Sequence, residues 1–136
     1  MRYLLDTNTR IRYINGRSQS VADRLDALPE REAVVCAVVK AELFFGALHS
    51  HHPAKSLAGQ KQFLKLFASL PFDDAAAEHY AQIRADLANK GTPIGSNDMF
   101  IAAIALANGL ILVTHNTREF GRVAHLQIED WETDTP

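Results

Sequence analysis

The stretch that decides the fold is Ile94–Phe120, IGSNDMFIAAIALANGLILVTHNTREF. Every residue from Met99 to Ala107 is apolar. A helix over 98–108 is therefore buried on most of its sides. Asn108-Gly109 stops that helix, as glycine favours the left-handed turn beyond a helix end. Leu110–Val113 then reads as a strand, and it breaks off at the polar Thr114-His115-Asn116-Thr117. Its residues are apolar without alternation, so both of its faces are covered, as in a parallel sheet.

The same grammar extends to the N-terminus. Tyr3-Leu4-Leu5 is a short buried strand that ends at Asp6-Thr7-Asn8. This polar trio caps a helix carrying Ile11, Tyr13 and Ile14, which Asn15-Gly16 ends. A second helix over 18–28 presents Val21, Leu25 and Leu28 on one face, and Pro29 closes it. Residues 33–36 form another apolar strand. The helix after it, 37–49, carries Glu42 among Val38, Val39, Leu43, Phe44 and Leu48. A helix over 54–70 is expected from the stripe Phe63, Leu66, Phe67, Leu70, with Pro71 as its stop. A helix over 74–90 ends at Lys90-Gly91, residues 91–98 are a loop, and Leu126–Ile128 is a last strand. Strands alternating with helices give an α/β fold with a parallel sheet covered on both faces.

The chain has 136 residues, which is one ordinary domain, 1–136, with an acidic tail over about 129–136. No repeat, low-complexity segment or linker interrupts it. Its 47% hydrophobic and 22% charged residues fit a globular chain rather than a disordered one. The net charge is −2. Four acids sit in the last eight residues, so residues 1–128 carry fourteen bases against twelve acids, a net +2. That balance neither demands nor excludes a nucleic-acid partner. The lone Cys36 excludes a disulfide framework within the chain and a CxxC motif. No run approaches a membrane span, and MRYLLDTNTR lacks a signal-peptide core, so the expected compartment is the cytoplasm.

In open parallel sheets ligands bind outside the carboxyl ends of the strands. The polar residues leaving those ends are Asp6, Thr7 and Asn8 after the first strand, and Thr114 and Asn116 after the third. Glu42 rides the helix after the second strand, and Asp98 opens the apolar helix. Two carboxylates about 5 Å apart repel by roughly 3 kcal/mol at a dielectric of about 20, so three together cost about 10 kcal/mol. Such a set needs a cation or a proton. Oxygen ligands favour Mg²⁺ or Mn²⁺ over zinc. Each residue also has a purely structural reading. Asp6 suits a helix cap, Asp98 complements a helix dipole, and Asn116 suits a turn. Glu42 is the hardest to explain structurally, because its neighbours are apolar. His49, His51 and His52 read as a solvated loop, and His115 ranks below a metal-bound hydroxide as general base. A phosphatase of the Asp-x-Asp kind is disfavoured by Asn8. GxSxG, P-loop and GxGxxG motifs are absent.

Four segments together carry a family resemblance: LLDTN (4–8), KAELFFGA (40–47), Ile94–Phe120 and IEDW (128–131). They resemble the PIN domain of bacterial VapC-type toxins in order and spacing. The resemblance implies a three-layer α/β/α sandwich around a parallel sheet. It implies a Mg²⁺- or Mn²⁺-dependent endoribonuclease acting on tRNA or rRNA, and hydrolysis by a metal-activated water leaving a 5′-phosphate and a 3′-hydroxyl. It also implies a homodimer that a VapB-type antitoxin holds inactive. Carried over by motif, the catalytic residues are Asp6, Glu42, Asp98 and Asn116. Asp6 and Asp98 would hold the metal, with Glu42 binding it through water or orienting the nucleophile. Asn116 stands where many PIN domains have a fourth acid, so the site has one negative charge fewer. Thr7, Asn8, Asn97 and Thr114 are expected around these residues or against phosphate. Arg10, Arg12, Arg17, Arg118 and Arg122 are candidates for gripping RNA. The alternative is a non-catalytic RNA-binding or regulatory PIN domain, which the three retained acids argue against. The Phe63 stripe reads as core; with Phe44 and Phe45 it also offers a surface for a second copy or a docked antitoxin helix.

Overall fold

The computed structural model describes residues 1–7, 19–29 and 31–132. The expected helix around Ile11–Ile14, Asn8, and the bases Arg10, Arg12 and Arg17 lie outside the described residues. Five short strands form one sheet: β1 (Tyr3–Leu5), β2 (Ala33–Cys36), β3 (Ser69–Leu70), β4 (Ile111–Val113) and β5 (Ile128–Glu129). Their order is β3-β2-β1-β4-β5, and every pairing is parallel. Among the described residues there are six helices: α1 (Gln19–Asp26), α2 (Ala37–Leu48), α3 (Pro53–Leu64), α4 (Asp74–Lys90), α5 (Ser96–Ala107) and α6 (Thr117–Phe120). The chain steps one way across the sheet from β1 to β3, then returns past β1 to β4. With right-handed connections, the helices of the two runs fall on opposite faces.

The core follows the apolar runs. Leu4, Leu5, Val34, Val35, Leu112 and Val113 are fully buried, as are Ile101 to Ala105 of α5. Cys36 is buried at the end of β2, and burial pushes its thiol up to about 11. It is a structural residue rather than a nucleophile. Gly91 takes the left-handed conformation (φ 66°) that ends α4.

The last strand is Ile128–Glu129 rather than Leu126–Ile128, and the short helix Thr117–Phe120 was not expected; two further boundaries differ with more consequence. The helix expected over 54–70 stops at Leu64, and Ser69–Leu70 is instead the edge strand β3. Two tight turns, Leu66 N–H to Phe63 C=O and Phe67 N–H to Leu64 C=O, unwind the helix. Val35 N–H then bonds Ala68 C=O at 3.0 Å, and the strand registers Cys36 against Leu70. The stripe had helical spacing, but Leu66 points to solvent at 75% exposure. Satisfying the free edge of β2 outweighs that periodicity. The second difference is that α5 begins at Ser96, two residues earlier than expected. Asp98 is thus the third residue of its first turn, with Gly95 as the cap.

Candidate active site

Asp6 and Thr114 are the residues that follow β1 and β4, the two strands between which the chain reverses direction across the sheet. Such a switch point leaves a crevice at the carboxyl ends of the strands. Leu5 registers with Val113, and Asp6 N–H bonds Val113 C=O at 3.0 Å. The Thr114 hydroxyl donates to Asp6 Oδ2 at 2.8 Å, and Thr7 N–H donates to Asp6 Oδ1 at 2.8 Å. Both Asp6 oxygens are thereby fixed, and the residue is only 5% exposed. The Thr7 hydroxyl donates to Glu42 Oε1 at 2.9 Å, tying α2 to the end of β1.

Asp98 completes the set from α5. Its carboxyl is raised to about 7, first by burial, then by a hydrogen bond with Glu119 and by the charges of Asp6, Glu119 and Glu42. Asp6 is also raised, mainly by burial, although its bonds from Thr114 and Thr7 work the other way. The described ion pairs join Arg24 to Glu129, Lys90 to Asp86 and His115 to Asp130 and Glu132. Among the described residues none reaches Asp6, Glu42 or Asp98. Crowding with no described ion pair on these three is the cost the sequence arithmetic anticipated, and a proton on Asp98 relieves it.

Glu119 is the residue that sequence reading missed. It lies on α6 and is held by Asn116, whose Nδ2 donates to Glu119 Oε2 at 3.1 Å. Its carboxyl is lowered, by Asn116 first and then by the bond from Asp98. Asn116 itself is positioned by Thr114, whose Oγ1 accepts from Asn116 N–H at 3.0 Å. Position 116 therefore carries an amide that presents a carboxylate from the next turn. The available signal was the i, i+3 spacing of Asn116 and Glu119 in NTREF, which puts both on one helix face. Asn97 is exposed and shares a groove with Thr7 and Glu42. His115 points away: its Nδ1 lies 3.0 Å from Asp130 Oδ2 and 3.3 Å from Glu132 Oε2.

A model of the PIN domain matches residues 3–126. The chain belongs to the PIN-domain family. This PIN domain is 42% identical to the tRNA(fMet)-specific endonuclease VapC of Shigella flexneri over 131 residues, 96% of this chain and 98% of that protein. Among solved structures it is similar to the VapBC complex of Salmonella typhimurium bound to DNA. The TM-score is 0.90 at 39% identity, covering 96% of this chain and 98% of that one. VapBC-1 of nontypeable Haemophilus influenzae gives 0.89 at 32% identity, covering 98% and 100%. The parallel α/β architecture expected from the sequence is the one these proteins share. Among the described residues, no helix is long and apolar enough to cross a membrane.

Proposed function

We propose that this PIN domain is a Mg²⁺- or Mn²⁺-dependent endoribonuclease toxin that hydrolyses RNA, with tRNA as the first substrate class to test. It acts in the cytoplasm, works as a homodimer and is neutralised by a VapB-type antitoxin. The relatives named above support the activity and the partner. The observation that carries the chemistry is the convergence of Asp6, Glu42, Asp98 and Glu119 at the switch point, with Asp98 raised to about 7.

The donor set fits a hard divalent cation: it is all carboxylate oxygen, partly buried, and short of positive charge. Asp6 and Asp98 would hold the ion, with Glu42 beside them. When bound, it would supply Lewis-acid polarisation of a phosphoryl oxygen and a lowered pKa for water. The chain's own residues prepare that chemistry. Thr114 and Thr7 lock both oxygens of Asp6, so the carboxylate meets its ligand without reorganising. The Thr7 hydroxyl orients Glu42, which directs the attacking water. Asn116 holds Glu119, and Glu119 accepts the hydrogen bond of the Asp98 carboxyl. A cation held by Asp98 would take the place of that proton.

The test is incubation of antitoxin-free protein with total RNA in Mg²⁺ or Mn²⁺, beside EDTA and Asp98→Asn controls. Discrete cleavage that both controls abolish is the expected result. Absence of both cleavage and calorimetric Mn²⁺ binding would overturn the proposal in favour of a non-catalytic domain.

A further inference from the structure

A groove of about 730 Å³ opens beside the carboxylates, within the size range of small-ligand pockets, about 300–1,000 Å³. Half-buried Thr7, Val38, Glu42 and Phe100 and exposed Phe45 and Asn97 line it. Phe45 lies three residues after Glu42 on α2, so both project from one face of the helix. Its ring is 68% exposed, an unusual state for phenylalanine. His49 backs that ring, with centroids 5.6 Å apart and planes 16° from parallel. Phe100 is braced from behind by Tyr80 at 4.5 Å and by Phe72 at 5.0 Å. The groove therefore combines the packed ring of Phe100 with the exposed ring of Phe45.

We infer that this groove is a nucleobase subsite, in which Phe45 stacks on an unpaired base next to the scissile phosphate. The inference rests on the ribonuclease reading and adds a determinant of substrate choice to it. Continuity with the carboxylate site identifies the occupant. A phosphodiester placed at Asp6 and Asp98 carries its neighbouring nucleotide past Thr7 and Glu42, directly into this groove. Charge points the same way: among the described lining residues Glu42 is the charged one, and none is a lysine or arginine. That lining suits an uncharged base rather than a phosphate. Stacking on aromatic rings is how proteins hold unpaired RNA bases. Asn97 supplies an amide for the base edge. A duplex cannot present a base this way, so the subsite selects loops and single strands.

Two measurements test the subsite. In the first, wild type, Phe45→Ala, Phe45→Leu and Phe45→Trp are compared for cleavage of total tRNA. Phe45→Ala and Phe45→Leu should raise KM about tenfold with kcat within about twofold, and Phe45→Trp should restore KM. A Phe45→Leu protein with wild-type KM would overturn the inference, because bulk rather than a ring would then suffice. An unchanged KM in Phe45→Ala together with an altered oligomeric mass in solution would overturn it by showing a protein interface. The second measurement does not depend on cleavage. In the Phe45→Trp protein, held in EDTA, an RNA hexamer of oligo-A should quench the new tryptophan, and ribose 5-phosphate should not. The native Trp131 is buried and contributes little. Quenching without cleavage in metal would leave the subsite standing and remove the nuclease reading. Cleavage without quenching would do the reverse.

Discussion

Thr114 and His115 are chain neighbours that serve two carboxylate groups of opposite character. Thr114 turns inward to Asp6, in a set with Glu42, Asp98 and Glu119. His115 turns outward to Asp130 and Glu132. The outward set contains its own titratable base, and its three donor atoms lie within 4.8 Å of one another. In the inward set Arg118 and Arg122 act on Glu119, no described ion pair reaches Asp6, Glu42 or Asp98, and Asp98 is raised. Both groups are acidic. They differ in whether a basic side chain bonds the carboxylates directly, so an acidic cluster says little until its partners are known.

The largest effect should come from breaking the inward set. Asp6→Asn or Asp98→Asn should lower the rate of RNA cleavage by about 1,000-fold or more, since each removes a carboxylate that would hold the cation. EDTA should do the same to wild type. Melting curves of the same variants should show no loss of stability without metal, and Asp98→Asn should gain about 1 kcal/mol, because repulsion is relieved. A large destabilisation in Asp98→Asn would mean that Asp98 serves the dipole of α5 instead.

Next in size is the support beneath Asp6. Thr114 is fully buried, donates to Asp6 and accepts from Asn116. Thr114→Val keeps the shape and deletes both bonds. Activity should fall about 10- to 100-fold, the usual result of removing the support of a ligating carboxylate. Mn²⁺ titration calorimetry should show weaker binding in parallel. Unchanged Mn²⁺ affinity would show that Asp6 does not depend on this hydroxyl.

The hydrogen bonds of Thr114 also show where sequence reading ran out. Leu4–Asp6, Leu110–Thr114 and the apolar helix around Ile104 were legible, because continuous apolar runs force burial and the polar residue at each strand end then falls at the switch-point crevice. Glu42 was legible as a carboxylate among apolar neighbours. Glu119 was not, because nothing in a one-turn helix such as Thr117–Phe120 announces which side faces the site. Ser69–Leu70 was missed for a related reason. A two-residue edge strand has no periodicity of its own and is defined by the neighbour it pairs with.

A smaller effect comes from pH. The Asp98 carboxyl stands at about 7 in the folded protein against 3.8 for the free group. Between those values the native state binds more protons than the unfolded state, so stability falls as pH rises and levels off above about 7. Asp6 is shifted in the same direction and adds to the slope. Glu119, shifted down, acts with the opposite sign, at pH values near and below its ordinary 4.5. Metal-free protein should therefore melt about 3 °C lower at pH 8 than at pH 5.5, relative to Asp98→Asn measured alongside. Mn²⁺ should raise the melting point more at pH 8, where the site is already deprotonated. Parallel pH profiles in wild type and Asp98→Asn would refute this assignment.

The smallest effect is expected at the outward set. His115 is exposed, and its ion pairs with Asp130 and Glu132 are of the surface kind, worth about 0–1 kcal/mol. His115→Ala should leave RNA cleavage within about threefold and lower stability by about 0.5 kcal/mol. Its effect on Mn²⁺ binding should be nil, because Thr114 rather than His115 faces Asp6. This variant is also the sharpest check on the comparison. His115 sits one residue from Thr114 and one from Asn116, so a backbone disturbance at 115 would reach both supports of the inward set. If cleavage collapsed in His115→Ala while the melting point held, the two groups would form one catalytic unit, and the outward carboxylates would belong to the reaction. If cleavage survives, alternation of side chains at the end of β4 is enough to keep a cluster paired with its own histidine apart from one built to receive a cation.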